Sequence, residues 1–361
     1  MTLQEKIRHA SIALALVGAI SLGIPSVARA DDIVDFYKGK QIKLVIGSAA
    51  GGGIDLLIRT VGRHMGKHIP GNPTFVPQNM LGAGSRVAAN WLYNVAPKDG
   101  TVIGNVTQNT PIDQVMKEEG VQFDVGKFNW IGNPQAINSV ILSWSDSGLR
   151  TMADVQSKGG LICGGTAAAS PSVILPQILK NLTGADIRII SGYPGSQETG
   201  LAMERGELNC LGASTLPSAR AMFGSRVNDH KMTTLIQWGI EKEAIISEFE
   251  GRDVPLITEF AKTDLDRKVL DFINVSIPFG RPLLLPPGVP QSRVDALRKA
   301  FDETMKDPEF LADARTQTFD ILPVPGEKLQ QLAAEVVKTP DAVIVRSKEL
   351  GTLKDVTEIK K

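Results

Sequence analysis

The chain has 361 residues, in which 39 Lys and Arg offset 39 Asp and Glu, with 42% apolar and 22% charged residues. That balance excludes the basic footprint of a nucleic-acid-binding domain. Four His and two Cys without metal-type spacing exclude the common zinc motifs.

At the N-terminus, Lys6 and Arg8 precede an apolar run from Ser11 to Ile24, and Ala28-Arg29-Ala30 supplies small residues in the A-x-A order. Basic head, apolar stretch and small-residue exit predict a secretory signal peptide over residues 1–30. A membrane anchor is the alternative, but the run falls short of the roughly 20 residues a spanning helix needs. Cleavage would start the mature protein at Asp31 in the periplasm. It would remove Lys6, Arg8 and Arg29 against Glu5, which takes the net charge from +0 to −2. The remaining length fits two domains of about 100–200 residues each.

From Gln41 the pattern is strand, Gly-rich turn, helix, repeated with short connections, which predicts an α/β fold with mixed, mostly parallel sheets flanked by helices. Ile42–Ile46 reads as a strand, and after the glycines Ile54, Leu57, Ile58 and Val61 recur at helical spacing. Thr74–Val76 leads through Gly82-Ala83-Gly84 into a helix over Val87–Tyr93. Thr101–Val106 and Ser139–Trp144 are further strands. After Asp154 the theme restarts with strand Leu161–Cys163, helix Val173–Leu182, strand Ile187–Ile190, helix Gln197–Arg205 and strand Leu208–Leu211. Met232–Trp238 is another extended run. Helices Val294–Met305 and Leu329–Val337 follow, the first with Ser292 placed to contribute to its cap. This order predicts two lobes: residues 31–137 and 240–361 in the first, 138–239 in the second, with a ligand cleft between them. Cys163 and Cys210 both fall in short strand-like runs. An oxidising compartment allows them a disulfide, but two buried free thiols are the favoured reading, because sequence cannot report their separation.

The most informative segment is Gly47-Ser48-Ala49-Ala50-Gly51-Gly52-Gly53-Ile54-Asp55, a Gly-rich turn between strand and helix. Glycine lets backbone N–H groups approach a ligand, and the first helical turn offers unpaired donors and partial positive charge. Either these glycines only permit a tight turn, or they cradle an anion. Neither G-x-x-x-x-G-K-[ST] nor G-x-G-x-x-G is present, so a carboxylate fits better than a phosphate. Gly82–Ser85 and Gly164–Ser170 fall at equivalent junctions, the ends where open α/β sheets bind ligands. Each hydrogen bond to a charged group contributes roughly 1.5–3 kcal/mol, so a handful of donors gives micromolar affinity without a buried cation. Hydrolytic machinery is hard to find: there is no G-x-S-x-G elbow, and Asp146-Ser147-Gly148 lacks the leading glycine of a serine-protease loop. His64 and His68 read as a solvated helix end, Arg59 as the structural i, i+4 partner of Asp55, and the four Trp as packing, with one available to line the cleft.

The ordered matches Lys40–Ile46, Gly51–Asp55, Gln78–Ser85, Ala96–Thr101, Gly164–Ser170, Thr183–Asp186, Tyr193–Ser196 and Asp253–Glu259 resemble the Bug/TctC substrate-binding receptors of tripartite tricarboxylate transporters. The resemblance implies a type II-like periplasmic binding protein, a Venus flytrap that closes on a small carboxylate (a di- or tricarboxylate or an aromatic acid). Backbone amides, hydroxyls and water would hold it, with arginine and lysine salt bridges not the main device. It implies ligand contacts at Ser48, Gly52, Gly53, Asp55, Gly84, Thr107, Thr166, Ser170, Gly195 and Ser214. It further implies a monomer that needs no cofactor and delivers its ligand to integral membrane transporter subunits. Pro194 stands where the family has a lysine and Ser214 where an aspartate is common, which removes contacts that favour an amino acid over a plain acid. A sensor for a signalling partner and, less favoured, a periplasmic hydrolase are the alternatives.

Overall fold

A computed structural model describes residues 30–166, 170–353 and 356–358. The expected signal segment, save Ala30, lies outside the described residues. The chain begins its first sheet with β1 (Gln41–Ile46), followed by α1 (Gly53–Met65), β2 (Thr74–Asn79), a helix over Arg86–Asn94 and β3 (Val102–Asn105). Next come α2 (Thr110–Val115) and β4 (Asn129–Asn133), a strand the sequence reading missed. The second sheet is built from β5 (Ser139–Trp144), β6 (Leu161–Gly164), α3 (Pro171–Thr183), β7 (Ile187–Ser191), a helix over Ser196–Glu204, β8 (Cys210–Ser214), α4 (Leu216–Phe223) and β9 (Met232–Trp238). Beyond these lie α5 (Asp264–Asn274), β10 (Leu283–Leu285), a helix over Gln291–Thr304, α6 (Pro308–Thr316), β11 (Val324–Pro325), α7 (Asp341–Gly351) and β12 (Val356–Glu358).

The strand orders are β11-β4-β10-β3-β1-β2 and β12-β7-β6-β8-β5-β9. The fold is α/β and two-lobed, with mixed sheets flanked by helices. Parallel pairing belongs to the strand-turn-helix units, β1 with β2 and β3, and β6 with β7 and β8. Strands β10, β11, β5 and β9 pair antiparallel, so parallel ladders are less dominant than the sequence reading had them.

Buried apolar positions explain the layering. In β1, Ile42 and Leu44 pack on one face with Leu57, Ile58 and Val61 of α1, while Val45 joins Leu92 and Trp130 on the other. The second half of β1, Leu44–Ile46, is buried on both faces and reads as a continuous apolar run, while Gln41 and Lys43 stay exposed, which is why β1 was legible. One apolar cluster runs through both sheets, from Val45 and Trp130 to Ile141, Cys163 and Trp238.

Residues 240–361 were expected to return to the first lobe, and β10 and β11 do join its sheet. The end of the chain goes elsewhere: β12 pairs parallel with β7, and α7 packs on α3 and α5. Asn181 of α3 donates to the carbonyls of Leu350 and Thr352, and Arg346 of α7 pairs with Asp266 of α5 at 2.9 Å. Ser292 makes no cap, because the helix starts after Pro290, whose fixed φ suits that position, and Ser292 falls inside the first turn.

Cys163 and Cys210 are disulfide-bonded, against the favoured free-thiol reading. They face one another as register partners on neighbouring parallel strands, and their Cα atoms lie 4.4 Å apart. The separation that sequence could not report is within bridging range.

Candidate functional site

At the end of β1 the chain passes so close to its neighbours that a Cβ on Gly47 would lie 2.6 Å from Cβ of Ser85 and 3.0 Å from the Asn105 carbonyl oxygen. Glycine is required there, and it draws the β1 turn against the turns after β2 and β3. Asp55, buried at 2% exposure, locks the loop. Its carboxylate accepts from the Gly51 N–H (2.8 Å), from Arg59 Nε (2.9 Å) and from Asn79 Nδ2 (2.8 Å), and the same Asn79 amide donates to the Ser48 carbonyl. Burial alone would raise the Asp55 pKa, but the hydrogen bonds from Arg59, Gly51 and Asn79 outweigh it and hold the carboxyl below its usual range. Asp55 thus shapes the loop with its acceptors already engaged, and Arg59 is its structural partner as the sequence spacing implied.

The atoms left for a ligand are others. Ser48 Oγ is buried with no hydrogen-bond partner. No side chain caps α1 at Gly52, so its first-turn N–H groups face outward from the Gly51–Gly53 turn unfilled by side chains. Gly84 and Thr107 come together, with Thr107 Oγ1 donating to the Gly84 carbonyl at 3.1 Å. Ala83, Gly84 and Ser85 all have positive φ, an unusual run for two non-glycine residues and of the kind found at binding loops.

In the second lobe, a Cβ on Gly212 of β8 would lie 2.2 Å from the Ser172 carbonyl oxygen, so glycine lets the start of α3 press against the sheet. Thr166 and Ser170 meet through Ser172, whose Oγ accepts from the Thr166 N–H at 3.3 Å and lies 2.8 Å from Ser170 Oγ. Helix α3 begins at Ser170 without a side-chain cap. Ser191, at the end of β7, has a buried Oγ with no partner, matching Ser48 across the molecule. Gly195 and Ser214 take no part in these hydrogen bonds. The Glu198 carboxylate occupies the space beside Gly195, 2.8 Å from where a Cβ would be, and the Ser214 hydroxyl donates to the Thr215 carbonyl.

Two cavities open between the lobes. One, of about 670 Å³, is lined by Gln108, Gln135 and Arg281 from the first lobe and by Thr215, Ser218 and Arg220 from the second, with Arg315 at its edge. The other, of about 410 Å³, lies between α2 and α3 and includes Trp238. Gln108 and Ile277 line both. None of the ten predicted contacts lines either cavity, but three lining residues are their chain neighbours, Gln108 after Thr107, Pro171 after Ser170 and Thr215 after Ser214. Sequence reasoning missed the arginines. Among the described residues none of the three has a carboxylate in salt-bridge range, and burial pushes the Arg281 guanidinium below the usual arginine range. The available signal was Gly280-Arg281-Pro282, a cation in a turn just before a short apolar strand.

Hydrolytic chemistry gains nothing from the geometry. Ser147 Oγ donates to the Trp144 carbonyl, and Ser170 pairs with Ser172. His64 and His68 are bound to Asp313 and Asp307 near α6, so the expected solvated helix end is an ion-pair clasp joined by Arg63 and Lys67. Among the described residues no helix is long and apolar enough to cross a membrane.

No family model matches the chain. It is 26% identical over 346 residues, 94% of this chain and 95% of the other, to the "UPF0065 protein in gbd 5′ region" of Cupriavidus necator. Its fold matches that of a TctC solute binding protein from Polaromonas (TM-score 0.67, 18% identity, 86% of this chain and 99% of that one). It also matches the periplasmic binding protein BugD (0.55, 17%, 90% and 100%) and MatC of Rhodopseudomonas palustris with bound malate (0.53, 18%, 87% and 99%).

Proposed function

The chain has the fold of the TctC and Bug solute-binding proteins, and we propose that it works as one: a periplasmic receptor that captures a small carboxylate between its lobes and delivers it to membrane transporter subunits. The observation that supports this reading is a cavity between the lobes with three arginines in its wall, together with strand-end turns in both lobes whose donors are unfilled. Among the described residues Ser48 and Ser191 offer buried hydroxyls without a partner, α1 and α3 offer first turns without a side-chain cap, and Arg281 offers a guanidinium without a carboxylate partner. Each of these groups favours an anion, and each charge-assisted bond to one is worth roughly 1.5–3 kcal/mol. That MatC binds malate and a second R. palustris relative of this fold is described with adipate supports the choice of carboxylate.

Of the ten predicted contacts, Ser48, Gly52, Gly53, Gly84, Thr107, Thr166 and Ser170 remain in this reading. Asp55 serves as the brace of its loop, Gly195 as the cap position of the Ser196–Glu204 helix, and Ser214 as the last residue of β8. Thermal melting against mono-, di- and tricarboxylates tests the proposal. A ligand at 100 times its Kd adds about 2.7 kcal/mol of stability, and the absence of a shift with every acid would refute it.

A further inference from the structure

The two interlobe cavities differ in chemistry and adjoin at Gln108 and Ile277. The larger presents Arg220, Arg281 and Arg315. Its one carboxylate, Asp320, forms no ion pair with them among the described residues. Arg220 is stacked over Phe249 with its Nε buried and unpartnered, so the cation is held in place rather than free to swing into solvent. The smaller chamber is walled mainly by Ile112 of α2, Met116 just beyond it, Ile174 and Ile178 of α3, Trp238 and Phe272, with Ser139, Asn274 and Lys348 also in its lining. Its acid, Asp113, is already paired with Arg86 at 3.5 Å. An unpaired cationic wall beside an apolar chamber complements an amphiphile.

We propose that the receptor selects a monocarboxylic acid with an extended apolar body, alkyl or aryl, whose carboxylate sits at the arginine-lined cavity while its body enters the chamber between α2 and α3. The inference rests on the receptor reading and deepens it, because turns that grip a carboxylate say nothing about the rest of the ligand. A second charge or hydroxyl placed against Ile174, Ile178 and Phe272 would be buried unmatched, which costs more than it returns, and of the lining residues only Lys348 offers it a cation. A methylene placed there leaves water for an apolar wall and strengthens binding about fourfold. Trp238 adds a readout, since its indole lines the chamber and its Nε1–H is buried without a partner.

Calorimetry on the purified protein with straight-chain monocarboxylates from butanoate to decanoate, together with malate and adipate, decides the matter. The expected result is affinity rising about fourfold per methylene until the chamber is full, with tryptophan emission shifting for the longer acids only. Ile174→Phe, at a partly buried wall position, should lower the ratio of octanoate to butanoate affinity. Ile112→Phe, on the opposite wall, repeats the test should the first variant unfold. Arg281→Gln should weaken every acid about tenfold or more while the chain-length slope stays. Dicarboxylates that bind while monocarboxylates show no dependence on length would overturn this inference and leave the receptor reading standing. An absence of binding by every acid would overturn both.

Discussion

The turns after β1 and β6 are the same device braced in different ways. In the first lobe the Gly47–Asp55 turn is held by a carboxylate network, Asp55 with Gly51, Arg59 and Asn79. In the second, the turn after Gly164 follows a covalent tie between neighbouring strands, Cys163 to Cys210, and is finished by hydroxyls, Ser170 and Ser172. A covalent tie is indifferent to pH and salt but sensitive to reductant. A charged network has the opposite sensitivities. The comparison teaches that two strand-end turns of the same kind, one in each lobe, need not be stabilised by the same means.

Breaking the covalent brace should produce the largest effect. Cys163→Ala with Cys210→Ala opens a loop with a sequence separation of 47, for which the chain-entropy model gives about 4 kcal/mol. Denaturant unfolding of the double variant should match that of the reduced parent. If reduction left the parent's midpoint unchanged, the brace would be dispensable.

Next in size is Asp55→Ala, which strands the Arg59 guanidinium, the Gly51 N–H and the Asn79 amide. Arg59 is partly solvated, so the loss should be about 2 kcal/mol rather than the 3–5 of a fully buried pair. The same experiment sharpens the contrast with the second lobe, since reductant should add its own penalty almost in full, the two sites being distant and independent.

Ser48→Ala removes a buried hydroxyl that has no partner within the protein. Stability should hardly change, while acid affinity should fall about tenfold, the worth of one hydrogen bond to a charged group. Unchanged affinity would move the ligand away from the β1 turn.

The smallest effect concerns pH. Asp313 has a pKa lowered to about 2, chiefly by its hydrogen bonds from His64 and Arg63, and Lys67 and His68 lower that of Asp307. A carboxyl depressed in the folded state stabilises above its unfolded pKa of about 3.9, and that contribution is lost as pH falls through the folded value. Melting temperature should therefore decline as pH drops from about 4 toward 2. Their cationic partners Arg63 and Lys67 are exposed, so solvent screens both pairs and each contributes only about 0.5 kcal/mol. The Asp55 contribution should be lost over the same acidic side of its unfolded pKa, whereas the disulfide contribution should persist.

Much of the parallel architecture was legible from local pattern. Ile42 to Ile46 declares a strand whose second half is buried on both faces, and Ile54, Leu57, Ile58 and Val61 declare a helix face, because periodicity depends only on neighbours along the chain. The glycine turns of the candidate site were legible for the same reason, and the resemblance placed them in a two-lobed fold. β4 was not, since Asn129-Trp130-Ile131-Gly132-Asn133 carries too few apolar residues to read as a strand and is ordered by pairing with β10 and β11.

Other features depend on partners far away in sequence. Asn79 joins Ser48 and Asp55 only because β2 lies beside β1, the cysteines bond only because β6 lies beside β8, and β12 joins the second sheet because β7 leaves an edge for it. Arg220, Arg281 and Arg315 are ordinary surface residues by sequence, and only the meeting of the lobes turns them into one cavity wall. By itself, then, the sequence determined the strand-turn-helix units and the glycines at their junctions, where the forces are local. The tertiary structure decided which donors are braced, which remain free and which cations face them, because those are questions of distance between segments that the linear order does not encode.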